Sequence, residues 1–371
     1  MRISNVEILS VAPPVERYRW SDDLPEQFMT NTLVKIQTED GYCGIGGVWN
    51  GTSHDYDRYT AESLRNVAPT LLECDADDIA GTMFALRPRV WPLPGGALAA
   101  INAALWDRAG RVANQPVHAL LGTRRTEIPA YASTPMLADV DSYLRFSEEL
   151  IEQGFHAIKL HTWCIPERDL QLARVMSRTF GDQVELMLDA ENNYSYDDAK
   201  AVAFELADLG FRWLEAPLPD QDVNGYRALT QHADIPIVPS GNWVQDLDTF
   251  RYCVDSKAWG AARTDVTMMG GIDVALEACQ IAADAGLQCE LFSWGFTLIG
   301  AANLQVMLAV DNCSYFEQPV PIGAFEYGML DSIHPSPGGL ILAPETPGLG
   351  YDADWQAMRA AAVLHLTFPN T

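Results

Sequence analysis

The sequence predicts an α/β chain, a (β/α) barrel of the TIM type preceded by an N-terminal α+β domain. Three observations lead there. From residue 127 onward, apolar strand-like runs alternate with amphipathic helical segments, eight strands within about 190 residues. Three successive runs then end in an oxygen-bearing side chain at nearly equal spacing. VELMLD stops at Asp189, FRWLE stops at Glu215 twenty-six residues on, and IPIVPSGN reaches Asn242 twenty-seven after that. One strand, turn and helix takes about 25 residues, so the three fall at the same rim of a barrel. Finally, the first 125 residues lack this rhythm and read as three strands followed by helices.

Taken in order, residues 1–10 alternate as a strand and 14–30 (PVERYRWSDDLPEQFMT) read as a polar and aromatic loop. NTLVKIQT and YCGIGGVW are two strands around the turn Glu39-Asp40-Gly41. Gly44, Gly46 and Gly47 follow a hairpin turn rather than joining a parallel strand to its helix, which excludes a nucleotide loop. After the polar stretch NGTSHDYD, helical pattern runs from about 56 to 73. LAAINAALWDRAGRVANQPVHALLG then reads as a long amphipathic helix broken near its end by Pro116 and Gly122. The barrel strands are IPAYAS, HAIKLH, VELMLDA, RWLEAP, IPIVPS, AARTDV, LQCELF and CSYFEQ. Intervening helices such as VDSYLRFSEELIEQG and YDDAKAVAFELADLG end in a glycine suited to a C-cap. The expected division is 1–125 for the first domain, 126–324 for the barrel, and 325–371 for a Pro- and Gly-rich segment that leaves the barrel and packs back on the N-terminal domain.

The chain has 371 residues, 48% hydrophobic and 20% charged, an ordinary globular composition. Its formal net charge of -26, with only four lysines, argues against nucleic acid as a partner. No apolar run reaches membrane-spanning length, the N-terminus lacks the apolar core of a signal peptide, and the seven cysteines are scattered and free of CxxC. A cytoplasmic location, reduced thiols, no membrane partner and a homo-oligomeric state are the expectations.

Two carboxylates and an amide oxygen from neighbouring strands suit a hard divalent cation, Mg²⁺ most naturally, so Asp189, Glu215 and Asn242 are the candidate ligands. On HAIKLH, Lys159 and His161 are two apart and point to the same side, which the metal reading makes the interior. Burial and a nearby cation press the lysine pKa down and prepare it for proton transfer. A plain ion pair for Lys159 and a hydrogen-bonded structural imidazole for His161 are the structural alternatives. Asp265 ends the sixth strand, Glu290 or Phe292 the seventh, and Glu317 the eighth. Glu317 either keeps a proton and donates to a substrate oxygen or is an ionised partner for an arginine. Trp163, Trp243 and Trp294 lie beyond strand ends, where they wall a pocket or pack the rim.

With these residues in place, the chain resembles the mandelate racemase subgroup of the enolase superfamily over essentially its whole length. The resemblance rests on the LWDRAGRVANQPVHALLG helix, the Lys-x-(Lys/His) strand, the acidic ligand series and the GG after Asp265. It implies a modified (β/α)7β barrel with an N-terminal capping domain, Mg²⁺ on Asp189, Glu215 and Asn242, and a small-molecule carboxylate as substrate. Asn242 looks more like the glucarate dehydratase branch, since the third ligand is usually glutamate. His161 stands where the pattern has its second lysine, the base on one face; Lys159 matches the lysine that holds the carboxylate; Glu317 matches the acid that hydrogen-bonds it. The loop 14–30 and the segment Trp49–Asp55 would close over the barrel mouth, with Trp20, Trp49 and His54 as candidate contacts. The departure is at strand seven, where the histidine that normally pairs with Asp265 is replaced by Phe292, with Glu290 two residues earlier.

Mg²⁺ on the carboxylate stabilises the enediolate formed when the α-proton leaves. Racemisation needs a base on each face, whereas β-elimination of water needs one. With Phe292 on the other face, the sequence favours a sugar-acid dehydratase. A racemase, epimerase or lactone cycloisomerase is the alternative enzyme, and a metal-binding protein without turnover the alternative of another class. His161 is expected to be the base, kept neutral by the charge of Lys159 and the cation, with Lys159 as base and His161 as its support the converse assignment.

Overall fold

The computed structural model describes residues 1–13, 31–48, 54–90 and 96–369, with backbone only at 54–57. Near the N-terminus lie β1 (Ile3–Val11), β2 (Asn31–Thr38) and β3 (Cys43–Val48), an antiparallel meander in which the hairpin turn falls at residues 39–42. Helices His54–Ser63 and Gly96–Ala113 pack against it, and Ile79–Val90 packs on Gly96–Ala113. The glycines of β3 have a packing reason. A Cβ on Gly44 would stand 1.9 Å from the Ala104 carbonyl oxygen, and one on Gly46 would stand 2.3 Å from that of Ala100. The helix Gly96–Ala113 therefore rests directly on the strand backbone, which a side chain would prevent. Pro116 and Gly122 bound the next short helix, Val117–Leu121, with Gly122 left-handed at φ 97°.

Eight parallel strands follow: β4 (Glu127–Ser133), β5 (Ala157–His161), β6 (Glu185–Asp189), β7 (Leu214–Glu215), β8 (Ile237–Val238), β9 (Ala262–Thr264), β10 (Cys289–Leu291) and β11 (Phe316–Pro319). Their order is β11-β4-β5-β6-β7-β8 and β9-β10. The ring is completed where the Gly260 N–H donates to Ile237 O (2.8 Å) and the Cys289 N–H to Asn312 O (2.6 Å). Helical connections separate each strand from the next, and β11 pairs back with β4, which makes a (β/α)7β barrel. Asp139, Ser195, Asp222 and Asp246 each accept the N–H three residues on and start four of the connecting helices.

Apolar side chains fill the space between strands and helices, and an aromatic floor of Tyr131, Trp213 and Tyr315 closes the barrel interior at the bottom, with ring centroids 5.7–6.2 Å apart. The C-terminal residues go two ways. β12 (Leu340–Leu342) runs antiparallel to β4, and β13 (Ala362–Pro369) joins the first sheet beside β1, giving the order β13-β1-β2-β3. Between them, Trp355 Nε1 and the Arg359 guanidinium donate to the buried Glu7 carboxylate of β1. All seven cysteines are unpaired, and no helix among the described residues is long and apolar enough to cross a membrane.

Candidate active site and metal centre

Strand register brings the key side chains to one level. His161 of β5 is in register with Asp189 of β6, which is in register with Glu215 of β7. In a parallel sheet, residues on one rung point the same way, and the two-residue alternation places Lys159 on the same side one step below. Just past these strand ends the backbone is strained: Cys164, Glu191, Asn192 and Ala216 all have positive φ without being glycine. Such conformations cost about 1–3 kcal/mol each and survive where packing holds them. At Glu191 the turn brings the carboxylate back over the rim, 3.2 Å from His161 Nε2.

The barrel interior below the rim is ionic. Lys159 Nζ lies 3.0 Å from Asp189 Oδ2, 2.7 Å from Glu215 Oε1 and 3.0 Å from Glu317 Oε1. An ammonium has three N–H donors, so all of them face carboxylates. Arg263 of β9 bridges the same acids, 3.0 Å from Glu215 and 2.9 Å from Glu317, with Tyr131 Oη at 3.3 Å. Ser133 Oγ also donates to Glu317 at 2.8 Å. Burial pushes the Glu317 carboxyl up, but Lys159 and Arg263 outweigh it and hold its pKa at about 2. Of the two sequence readings for Glu317, the geometry therefore provides the arginine partner, and a retained proton is not in keeping with it. Burial and the surrounding carboxylates push Glu215 the other way, to about 8 despite Arg263 and Lys159.

The expected depression of the two bases is reversed in this cluster. Burial lowers the Lys159 pKa, yet Glu215 and Glu317 raise it well above its ordinary value. Burial likewise lowers that of His161, but Asp189 (3.2 Å from Nε2) and Glu191 push the ring up to about 10. The charge of Lys159, which lowers the His161 pKa, is outweighed by the carboxylates that converge on the ring. The ring is also oriented. His161 Nδ1 faces the Thr134 carbonyl oxygen at 2.6 Å, so it carries a proton and leaves Nε2 as the atom turned toward the carboxylates. Tyr143 Oη donates to the His161 carbonyl, and Trp294 stands edge-on to the ring at 6.1 Å.

Other candidates lie elsewhere. Glu290 is in register with Arg263, below the rim, and accepts the Ser314 N–H at 2.9 Å beside Cys313, so it belongs to the lower interior rather than to the place of a strand-seven base. Phe292 is buried against the Arg263 guanidinium at 5.3 Å. Asp265 is buried and N-caps the short helix Val266–Met269, accepting the Met268 N–H at 2.6 Å; burial pushes its pKa up to about 6. Asn242 sits on the exposed turn past β8. Trp163 donates to Leu137 O and packs on Tyr143, a rim contact, whereas Trp243 is 62% exposed beside Asn242. Trp20 and Trp49, the proposed closing segments, and the side chain of His54 lie outside the described residues.

Sequence reasoning missed Arg263 and gave Glu191 no role. The signal for Arg263 was an arginine two residues before Asp265 in an otherwise small and apolar strand. For Glu191 there was none beyond its nearness to Asp189. The cluster fits a divalent cation. Asp189, Glu215 and Glu317 are buried together, and burial, followed by the charges of Asp189 and Glu317, leaves Glu215 with its raised pKa. Asn192 Oδ1, on the turn whose N–H bonds Ala216 O, is buried without a protein partner, a free oxygen donor beside the rung. His161, Asp189 and Glu191 also offer ligand atoms within 4.8 Å of one another.

Comparison with known proteins gives the family and the fold. Residues 142–357 match the family model "Enolase C-terminal domain-like", and residues 26–122 match "Mandelate racemase / muconate lactonizing enzyme, N-terminal domain". A structure from Pseudovibrio sp., described as a candidate mandelate racemase/muconate lactonizing enzyme, superposes with a TM-score of 0.97 at 34% identity over 100% of this chain and 99% of that one. The magnesium complex of D-glucarate dehydratase from Agrobacterium tumefaciens gives 0.85 at 28% identity over 98% and 100%. Arabinonate dehydratase from Saccharolobus solfataricus is 24% identical over 88% of this chain and 89% of its own. Cycloisomerases and racemases stand among further relatives.

Proposed function

From the premise that the chain belongs to the mandelate racemase/muconate lactonizing enzyme group of the enolase superfamily, we propose that it is a Mg²⁺-dependent sugar-acid dehydratase. Acid–base chemistry on carboxylate substrates is common to the group; the direction it takes in this chain is the proposal. One observation carries it. His161 and Lys159 line one side of the rung, while the strand-seven position at which the family pattern has a histidine holds Phe292, which packs over the Arg263 guanidinium and cannot move a proton. A single base suffices for β-elimination and not for racemisation.

Asp189 and Glu215, with Asn242 as third oxygen, would hold the cation, which when bound supplies Lewis-acid stabilisation of charge developing on the substrate carboxylate. Lys159, with every donor on a carboxylate, stays charged and fixes Asp189, Glu215 and Glu317. His161 takes the α-proton at Nε2, its tautomer set by Thr134 O, and hands it on to the departing hydroxyl, so that water is the leaving group. Asp189 and Glu191 raise the pKa of the ring against the burial that lowers it, and a bound cation, by neutralising those charges, would lower it again and favour the base form. Trp294 and Tyr143 keep the ring in place, and Asp265 and Glu290 stay out of proton transfer.

A screen of aldonic and aldaric acids with Mg²⁺, read by mass spectrometry in D₂O, tests this reading. Loss of one water is the expected result. Isomerisation without loss of water would make the protein a racemase, epimerase or cycloisomerase, and no change across the panel would favour the non-catalytic metal protein. The metal assignment has its own test. Calorimetry should show Mg²⁺ affinity falling more than about tenfold in Glu215→Gln, a scale that changes outside the ligand sphere already reach. Unchanged affinity there, with the loss seen in Glu191→Gln instead, would move the cation to the His161–Asp189–Glu191 group.

A further inference from the structure

Asp220 is a buried carboxylate that neither the proton chemistry nor the fold accounts for. It lies five residues past Glu215, on the loop leaving β7, and is 1% exposed. Burying an ionisable group without compensation is costly, so its partners show what it is for. The helix that follows, Val223–His232, is capped by Asp222 and has no need of it. The rung between β7 and β8 is held by backbone, the Ala216 N–H donating to Val238 O at 2.8 Å.

Apart from the Tyr226 hydroxyl, which donates to Oδ1 at 3.5 Å, the partners of Asp220 are on the next loop. Its Oδ1 accepts the Ser240 N–H at 2.8 Å, and its Oδ2 accepts the Ser240 hydroxyl at 2.8 Å and the Gly241 N–H at 3.0 Å. Ser240 Oγ in turn accepts the Asn242 N–H at 3.2 Å. One hydroxyl thus links the carboxylate to the backbone of Asn242. The opposite side of the turn is equally confined. Gly241 is left-handed at φ 79°, and a Cβ there would stand 2.8 Å from Arg263 O and 3.1 Å from Phe292 Cε1. The turn is wedged between the β7 loop and the end of β9, and the residues that follow it, Asn242 and Trp243, emerge at the surface.

We infer that Asp220 is a positioning residue for the metal centre: acting through Ser240, it fixes the turn that presents Asn242 as the third oxygen. This rests on the reading of Asn242 as a ligand. An exposed amide on a mobile turn would lose conformational freedom on binding a cation, whereas a turn fixed beforehand does not, and the difference appears as affinity. Ser240 is the relay, and Gly241 lets the turn sit against β9.

The test is Mg²⁺ binding by calorimetry on the full chain, for Asp220→Asn and Ser240→Ala, each alone and combined with Asn242→Ala. Asp220→Asn puts a donor where an acceptor stood; Ser240→Ala removes only the relay and carries the test if the first variant does not fold. Near-UV circular dichroism checks the fold. We expect each single change to weaken Mg²⁺ roughly 10- to 100-fold and to have no further effect once Asn242 is alanine. Equal weakening in the Asn242→Ala background, or none in the parent, overturns the inference while leaving the ligand reading standing. If Asn242→Ala alone leaves Mg²⁺ affinity unchanged, the ligand reading falls and this inference with it.

Discussion

Replacing His161 with asparagine should lower exchange of the substrate α-proton in D₂O by roughly 10²- to 10⁴-fold, the usual cost of losing a general base. Binding of Mg²⁺ and of the substrate carboxylate should survive. Asparagine keeps a polar group beside Thr134 O and removes the nitrogen at the rim. The expectation separates the two bases because their surroundings differ. The Lys159 ammonium is enclosed by three carboxylates at 2.7–3.0 Å, and removing its proton would leave those charges uncompensated. The imidazole is held from behind by Thr134 O, and the charges that keep it protonated, Asp189 and Glu191, lie where a cation would draw on them. Lys159→Met should therefore weaken Mg²⁺ binding and disorder the acids as well as slow turnover, whereas His161→Asn should slow turnover alone. Parent-rate exchange in His161→Asn, with exchange lost in Lys159→Met, would reverse the roles. Exchange that survives both changes and disappears in Asp265→Asn would place the base on the other face.

Arg263→Met should be the most destabilising substitution in the barrel interior, by about 3–5 kcal/mol, because it removes one partner from a buried pair and leaves the other charged. Arg263 sits between Glu215 and Glu317, and all three are buried. Methionine fills much of the volume, so the cost is electrostatic rather than a cavity. The double variant Arg263→Met/Glu317→Gln should recover part of the loss, since the amide removes one of the two stranded carboxylates. Urea unfolding is the measurement, with the unfolding rate at fixed temperature as the readout if refolding fails. A single variant as stable as the parent, or a double variant no better than the single one, would mean that the guanidinium does not balance these acids.

What the sequence determined by itself are the relations that local geometry enforces. Apolar runs ending at Asp189 and Glu215, twenty-six residues apart, arrive on one rung because a strand, turn and helix has a nearly fixed length. Lys159 and His161 share a side because side chains alternate along a strand, and both are buried beside Asp189. The barrel itself follows from the same short-range rules. Tertiary structure alone decided the contacts between strands distant in the chain. Arg263 meets Glu317 because β9 and β11 flank β10 and both side chains turn into the interior, and Glu290 sits low because it shares the rung of Arg263. Asp265 turned to cap a helix, and Asn242 lies on a turn whose direction is fixed by Asp220. The charge state of His161 is the clearest case. Sequence supplied the one neighbour that repels its proton, Lys159, while the two carboxylates that hold it depend on through-space distances of a few ångströms inside a low-dielectric barrel. A pattern of spacings carries no such distances, and so it located the site without fixing its electrostatics.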